Sequence, residues 1–182
     1  MLPLGHVAYT WAALLALEGH GLPQTIDYRT AALAALLPDA VDKPLSLTVF
    51  AKSGTSQGLA HTLLVQALAT WAVARLRPEW LPYALIANGH LVADQMWRYP
   101  RTLFFPLSRR LHSWTFMGTP AAMLGAYAEI IKRPAILAIE LGGLGLLAWV
   151  ARRRGLRAPG ALWRLVRTGQ ADVDRGKRVP CG

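Results

Sequence analysis

An apolar run at residues 134–151 constrains the fold more than any other feature of the sequence. It reads PAILAIELGGLGLLAWVA, contains Glu140 as its only ionisable residue, and is followed by three arginines at 152–154. A helix of about 18 or more apolar residues can cross the hydrocarbon core of a bilayer, and a basic cluster after it is typical of the cytoplasmic end. We therefore predict a transmembrane helix at 134–153 and a cytoplasmic C-terminus.

The composition extends this prediction to the rest of the chain. Hydrophobic residues make up 53% of the sequence and charged residues only 16%, against roughly a quarter in a typical soluble domain. The single cysteine, Cys181, excludes a disulfide framework and a cysteine-based zinc site. We expect a membrane-associated protein with the lipid bilayer as a partner.

The net charge of +10 is concentrated near the C-terminus. Nine Lys or Arg and two Asp fall between Arg152 and Arg178, whereas residues 1–151 hold eleven basic and eight acidic residues. Each basic residue near an anionic membrane contributes about 1 kcal/mol of attraction. We predict that 154–182 is a basic cytoplasmic tail that contacts anionic lipid headgroups. Nucleic acid is the alternative partner, but no recognised nucleic-acid motif is present, so none is expected.

Apolar runs separated by proline, glycine and polar clusters predict an all-α, membrane-associated bundle of about six to seven helices. No segment alternates convincingly as a strand. Residues 1–133 would form the main helical domain, ahead of the transmembrane helix and the tail. The predicted helices are 5–19, 29–37, 59–77, 80–98, 119–132, 134–153 and 158–168.

Histidines and aspartates recur where these apolar helices begin or end. Asp39 and Asp42 follow Pro38, which we expect to end a helix, and their spacing lets both point the same way. Two carboxylates this close repel each other unless a cation lies between them. A turn with a capping aspartate is the alternative interpretation of this motif.

His90 and Asp94 lie four residues apart, which places both on one face of a helix. An imidazole nitrogen and a carboxylate oxygen are both zinc ligands. A salt bridge within the helix is the alternative. The apolar surroundings favour the metal interpretation, because a buried ion pair must offset several kcal/mol of desolvation for each ion.

His61 and His6 each lie near the start of an apolar helix, where a single histidine is more often a hydrogen-bonded core residue than a metal ligand. Similar groups on four helices shift that balance towards metal binding. Helical bundles build metal sites from inward-facing side chains on different helices, and a bound divalent ion activates water for hydrolysis. We therefore predict a metal-dependent hydrolase with Asp39, Asp42 and His61 as catalytic residues. Three histidines favour zinc, with manganese or magnesium as alternatives. The predicted metal ligands are His6, Asp39, Asp42, His61, His90 and Asp94.

Four features together resemble a known family, the LexA-binding, inner-membrane-associated, YdjM-like hydrolases. They are His6 in the first apolar helix and the segments LLPDAVDKPLS (36–46), GLAHTLL (58–64) and GHLVADQMWRYPRTLFFPL (89–107). The resemblance covers about residues 1–107. It implies an inner-membrane helical protein with a metal site on the six residues named above.

The chain departs from this family at one motif. In many relatives the motif reads His-Arg-Gly-x-Thr-His-Ser, whereas here Ser56 and Gln57 stand in place of the first His and the Arg. The resemblance then implies that one metal ligand or one contact to a substrate phosphate is absent. The substrate is unassigned, with a phosphoester or a lipid-linked ester as candidates.

Arg98 and Arg101 follow the His90 motif and are predicted to bind an anionic substrate. The alternative is an interfacial belt, in which Trp97 and Tyr99 lie at headgroup depth beside the arginines. For the whole protein, the alternative is a non-enzymatic integral membrane protein with structural polar residues or a partner-docking surface. A small permease is less consistent with so few clean spans.

Overall fold

All regular secondary structure in the described residues is helical. The computed structural model describes residues 1–17, 20, 26–52, 54–113, 119–158 and 160–170, and within them it contains no strand. The all-α prediction is therefore confirmed. The predicted tail beyond residue 170, including Cys181, lies outside the described residues. The α-helices are α1 (Pro3–Leu17), α2 (Tyr28–Leu47), α3 (Leu63–Leu76), α4 (Leu81–Ala93), α5 (Pro100–Leu103), α6 (Pro120–Ile131), α7 (Pro134–Arg153) and α8 (Ala161–Thr168).

Helix α2 lies between α1 and α4 and also contacts α8 and the 3-10 turn Leu59–His61. Its first turn is capped by Asp27, whose carboxylate accepts hydrogen bonds from the backbone N–H groups of Arg29 and Thr30. Residues three or four apart form its buried face, and most of them are small. They are Tyr28, Ala31, Ala34, Ala35, Pro38, Asp39, Asp42 and Ser46.

The prediction that Pro38 ends this helix was wrong, because α2 continues through Pro38 and Pro44 to Leu47. A proline inside a helix removes a hydrogen bond and costs about 3 kcal/mol. Pro38 is fully buried, so packing of this face against neighbouring helices offsets that cost. Asp39 and Asp42 consequently lie on one face of a continuous helix instead of in a turn.

Two other predicted helices are divided in the structure. Helix α4 ends at Ala93 instead of residue 98, because Gln95 adopts a left-handed backbone conformation with φ 53°. A 3-10 turn and the short α5 follow. The predicted helix 59–77 is divided at Thr62, which has extended backbone and caps α3 through a hydrogen bond from Val65 N.

Helix α7 packs along α1, and its one acidic residue holds the two helices together. Glu140 is buried and accepts hydrogen bonds from Leu2 N at 2.8 Å and Gly5 N at 3.0 Å. These N–H groups have no partner within α1, so Glu140 caps the start of that helix from outside. Glu140 therefore pairs with a neighbouring helix.

Most side chains of α7 point away from the rest of the protein. In the part of the chain that the structure describes, α7 is the one helix long and apolar enough to cross a membrane. Helices α1, α3 and α6 are apolar but shorter. Large apolar side chains are exposed on several helices, including Leu68 and Trp71 on α3, Leu124 on α6, and Leu141 and Leu144 on α7.

We predict that Glu140→Ala lowers the free energy of unfolding by about 1–3 kcal/mol, because it leaves the buried N–H of Gly5 and the half-buried N–H of Leu2 without their acceptor. Denaturant unfolding in detergent, followed by circular dichroism, measures the change. Glu129→Ala is the control, since Glu129 is exposed and pairs with Lys132 on the same surface. Equal stability of the two variants would show that Glu140 does not hold α1 and α7 together.

Candidate metal centre

Four side chains from separate elements meet at one buried centre. Asp39 comes from α2, His61 from the 3-10 turn before α3, His90 from α4 and Asp94 from the residue after α4. One ligand atom from each lies within 4.8 Å of all the others. Both imidazoles are fully buried, and the carboxylates are 10% and 6% exposed. This group can hold a metal ion.

The spacing of the donor atoms suits a tetrahedral ion. His61 Nε2 lies 3.2 Å from His90 Nε2, and both nitrogens lie 3.4–3.8 Å from Asp39 Oδ1 and Asp94 Oδ2. Donors bound about 2.0–2.2 Å from a tetrahedral zinc ion are about 3.3–3.6 Å from one another. The five donor–donor distances that involve a histidine are thus close to this range, and the whole group lies within 4.8 Å.

The hydrogen bonds behind the two imidazoles orient their Nε2 atoms towards the centre. His90 Nδ1 lies 2.7 Å from the carbonyl oxygen of Ala35, which can only accept, so Nδ1 carries the hydrogen. His61 Nδ1 lies 2.6 Å from Asp42 Oδ2 and donates in the same way. When both rings are neutral, two Nε2 lone pairs therefore face each other. A carbonyl or carboxylate behind the ring is the usual support of a metal-binding histidine.

Asp42 supports this arrangement from behind and does not belong to the group of four. Its Oδ1 accepts a hydrogen bond from Ala60 N, and its Oδ2 accepts from Gly58 N, His61 N and His61 Nδ1, all at 2.6–3.1 Å. Its carboxylate is completely buried. A side chain at position 58 would place its Cβ 3.2 Å from Asp42 Oδ1, so glycine permits this close approach.

His6 lies at the edge of the same cluster. Its ring is stacked on that of His90, with centroids 3.9 Å apart and planes 7° from parallel. Its Nε2 lies 3.1 Å from Asp94 Oδ1 but makes no hydrogen bond. All six predicted ligands are thus brought together, with four facing one centre, Asp42 behind His61 and His6 beside His90.

The carboxylates favour positive charge at this centre. Burial alone would lower the pKa of His61, but the hydrogen bonds and charges of Asp42, Asp94 and Asp39 outweigh it and raise the pKa to about 9. Burial would raise the pKa of Asp94, yet the three histidines and the amino group of Met1 beside it hold that pKa below the ordinary value. A proton on His61 or a metal ion meets the same electrostatic need.

Two members of the cluster, Asp39 and Asp94, line a cavity of about 370 Å³. Three cationic side chains, Lys43, Arg98 and Arg133, also line it. Lys43 is ion-paired with Asp39. The opposite wall is apolar and comes from α6 and α7, with Met123, Ala126, Ile130, Ile136 and Ile139. The cavity therefore combines a candidate metal centre, a cationic rim and an apolar wall.

The comparisons with known proteins identify the family. The model of the YdjM inner membrane protein family matches residues 1–159. The chain belongs to the YdjM inner membrane protein family. No curated protein and no solved structure matches the chain. The resemblance inferred from the sequence motifs is confirmed, and the YdjM family name gives the protein a membrane context.

The position at which this YdjM protein departs from the motif of many relatives lies at the cavity. Ser56 and Gln57 both line it, and Gln57 Nε2 donates to Asp94 Oδ2 at 3.0 Å. An amide thus contacts the cluster where the motif has an arginine. Of the two arginines predicted to bind substrate, Arg98 lines the cavity, whereas Arg101 is exposed on α5 and is not among the lining residues.

Sequence reasoning missed Lys43 and Arg133 in this YdjM protein. Lys43 follows Asp39 by four residues, the spacing of an ion pair on a helix. The ion pair was not predicted, because Pro38 was expected to end the helix before Asp39 and Lys43. Arg133 precedes the apolar run, and only the packing of α6 and α7 brings it to the cavity.

We predict that Asp42→Asn lowers the free energy of unfolding by about 1–3 kcal/mol, because an amide cannot accept all four hydrogen bonds that the carboxylate accepts. Chemical denaturation in detergent tests this value. Glu79→Gln, at an exposed position, is the matched control with the same change of charge. If Asp42→Asn were as stable as the control, Asp42 would not anchor the 3-10 turn.

Proposed function

We propose that this YdjM family protein is a membrane-bound, metal-dependent hydrolase in which Asp39, His61, His90 and Asp94 hold a divalent ion. The observation that carries the proposal is the approach of His61 Nε2 and His90 Nε2 to 3.2 Å. Acceptors behind both rings occupy the Nδ1 hydrogens, so in the neutral rings that bind metal the two Nε2 lone pairs point towards the same place as two carboxylates. A shared cation accounts for this geometry.

The donor set indicates which ions suit the centre. Two imidazoles and two carboxylates favour zinc, and the carboxylates also allow manganese or magnesium. When bound, such an ion lowers the pKa of a coordinated water towards about 7 and polarises a phosphoryl or carbonyl oxygen. Hydrolysis of an ester is the reaction that this chemistry supports best.

Residues around the centre position the metal ligands and bind the substrate. Asp42 is a positioning residue, since it acts on the centre through His61. Lys43 holds Asp39 at the edge of the cavity. Arg98 and Arg133 favour an anionic group such as a phosphoester, with which guanidinium groups form paired hydrogen bonds. The apolar wall favours an apolar substituent, so a lipid-linked phosphoester is the proposed substrate class.

The membrane arrangement is also part of the proposal. Helix α7 crosses the bilayer, residues 1–133 form the domain that carries the metal centre, and the basic segment from 154 lies in the cytoplasm. Helix α8 exposes Leu162, Trp163 and Val166 beside the exposed Arg164 and Arg167. An amphipathic helix of this kind lies at the bilayer surface and contacts anionic headgroups.

A non-enzymatic role is the second candidate. It is favoured by Gln57, because the amide occupies part of Asp94 that would otherwise be open to substrate. In that case the buried polar groups only hold the helices together. The substitutions His61→Ala and His90→Ala would then lower stability without changing the metal content.

The metal content of the purified protein tests the proposal. We expect at least one zinc, manganese or magnesium ion per chain in detergent, measured by plasma mass spectrometry. His90→Ala should lose that ion, together with hydrolysis of phosphoesters, because it removes a ligand from the centre. His20→Ala, at an exposed position, should retain both. A parent protein without stoichiometric metal would refute the hydrolase.

Cys181 provides a test of the orientation, because it is the only cysteine in the chain. We predict that a membrane-impermeant maleimide labels it in inverted inner-membrane vesicles and leaves it unlabelled in spheroplasts. Cys181→Ser should show no labelling in either preparation. Labelling of intact spheroplasts would place the C-terminus on the opposite side.

A further inference from the structure

The carboxylate of Asp94 faces imidazoles on two sides. Its Oδ2 lies 3.4 Å from His90 Nε2 and belongs to the four-residue centre. Its Oδ1 lies 3.1 Å from His6 Nε2, outside that centre. One carboxylate thus lies between two histidines that come from different helices, α1 and α4.

His6 has an unexplained buried nitrogen on this side. The residue is 2% exposed, and Nε2 has no hydrogen-bond partner, which is rare for a buried polar atom. At 3.1 Å from Asp94 Oδ1 the distance would suit a hydrogen bond, but the direction does not. Two ligands of the same metal ion lie close together without a hydrogen bond between them, because each points at the ion instead of at the other ligand.

The stacking of His6 on His90 indicates how far apart two metal ions would lie if each were bound by one of these histidines. The ring centroids are 3.9 Å apart and the planes are within 7° of parallel. Hydrolytic centres with two metal ions hold them about 3.5–4 Å apart. His6 Nε2 faces Asp94 Oδ1 and His90 Nε2 faces Asp94 Oδ2, so this ring spacing suits a pair of ions joined by one carboxylate.

A third donor lies beside the same carboxylate. The amide of Gln57 donates through Nε2 to Asp94 Oδ2 at 3.0 Å, and its Oε1 is buried without a hydrogen-bond partner and so is free to bind a cation beside Asp94. An amide oxygen is a suitable ligand for manganese or magnesium. The amino group of Met1 also contacts Asp94 Oδ1, at 2.7 Å, so this oxygen already faces positive charge.

We propose a second divalent cation site formed by His6 Nε2, Asp94 Oδ1 and Gln57 Oε1, with Asp94 bridging it to the first site. The second ion replaces the amino group of Met1 at Oδ1. This inference rests on the proposed function, since the first ion is held by the four-residue centre. The protein is then a two-metal hydrolase, in which His6 binds metal and is more than a packing residue.

Manganese titration tests the second site without any measurement of activity. The full chain, stripped with chelator in detergent, is dialysed against Mn²⁺ and counted for bound ions. We expect two ions per chain in the parent and one in His6→Ala, with His20→Ala retaining two. Electron paramagnetic resonance should show exchange coupling between the two ions in the parent and an isolated ion in His6→Ala.

Two further variants allow the test to be made even if His6→Ala does not fold. Gln57→Leu keeps the first ion and should weaken binding of the second several-fold, and His6→Gln serves if His6→Ala does not fold. One uncoupled ion in both parent and His6→Ala overturns the second site and leaves the proposed hydrolase intact. Two ions retained in His6→Ala overturn the assignment of His6. A parent that binds no manganese and no zinc overturns both proposals.

Discussion

The candidate site depends on one stripe of acceptors along α2. The carbonyl of Ala35 holds His90, and the carboxylate of Asp42, two turns further along the helix, holds His61. Asp39 lies between them and faces the centre that both rings share. A single helix therefore orients two imidazoles from other elements and adds a carboxylate of its own. Movement of α2 would displace three of the four donors together.

Charge is the second constraint on this centre. Asp39, Asp42 and Asp94 bring three carboxylates into a buried region, where an uncompensated charge costs several kcal/mol. Lys43 neutralises Asp39 at the cavity, and the raised pKa of His61 shows that the others also favour a positive partner. A cation bound only by the folded state would add its binding free energy to stability. Binding of such a cation would therefore stabilise the fold of this protein.

The sequence predicted which residues meet at the site better than it predicted their geometry. The spacing of His90 and Asp94 placed both beside one centre, because the helical period depends only on local structure. The end of α2 was predicted wrongly at Pro38, because the tendency of proline to end a helix is a local preference that packing overrides here. The ion pair between Lys43 and Asp39 was missed for the same reason, since it requires a continuous helix. The left-handed backbone conformation of Gln95 could not be predicted either, because glycine, the residue that usually marks this conformation, is absent from that position. The cavity wall depends on how α6 and α7 pack, which no local pattern specifies.

The polar interactions of this protein hold the bundle together as well as forming the site. Large apolar side chains are exposed on α3, α6 and α7, and the buried core contains mainly small residues. Helices in a bilayer gain little from hydrophobic burial and associate through close packing and hydrogen bonds. Gly143 against Ala8 and the cap that Glu140 forms on α1 are contacts of this kind, and Asp42 adds another. Loss of activity on changing a buried histidine or aspartate is therefore ambiguous, because it also follows from a loosened bundle. Bound metal per folded chain separates the two causes, since a structural hydrogen bond changes stability without changing the number of ions.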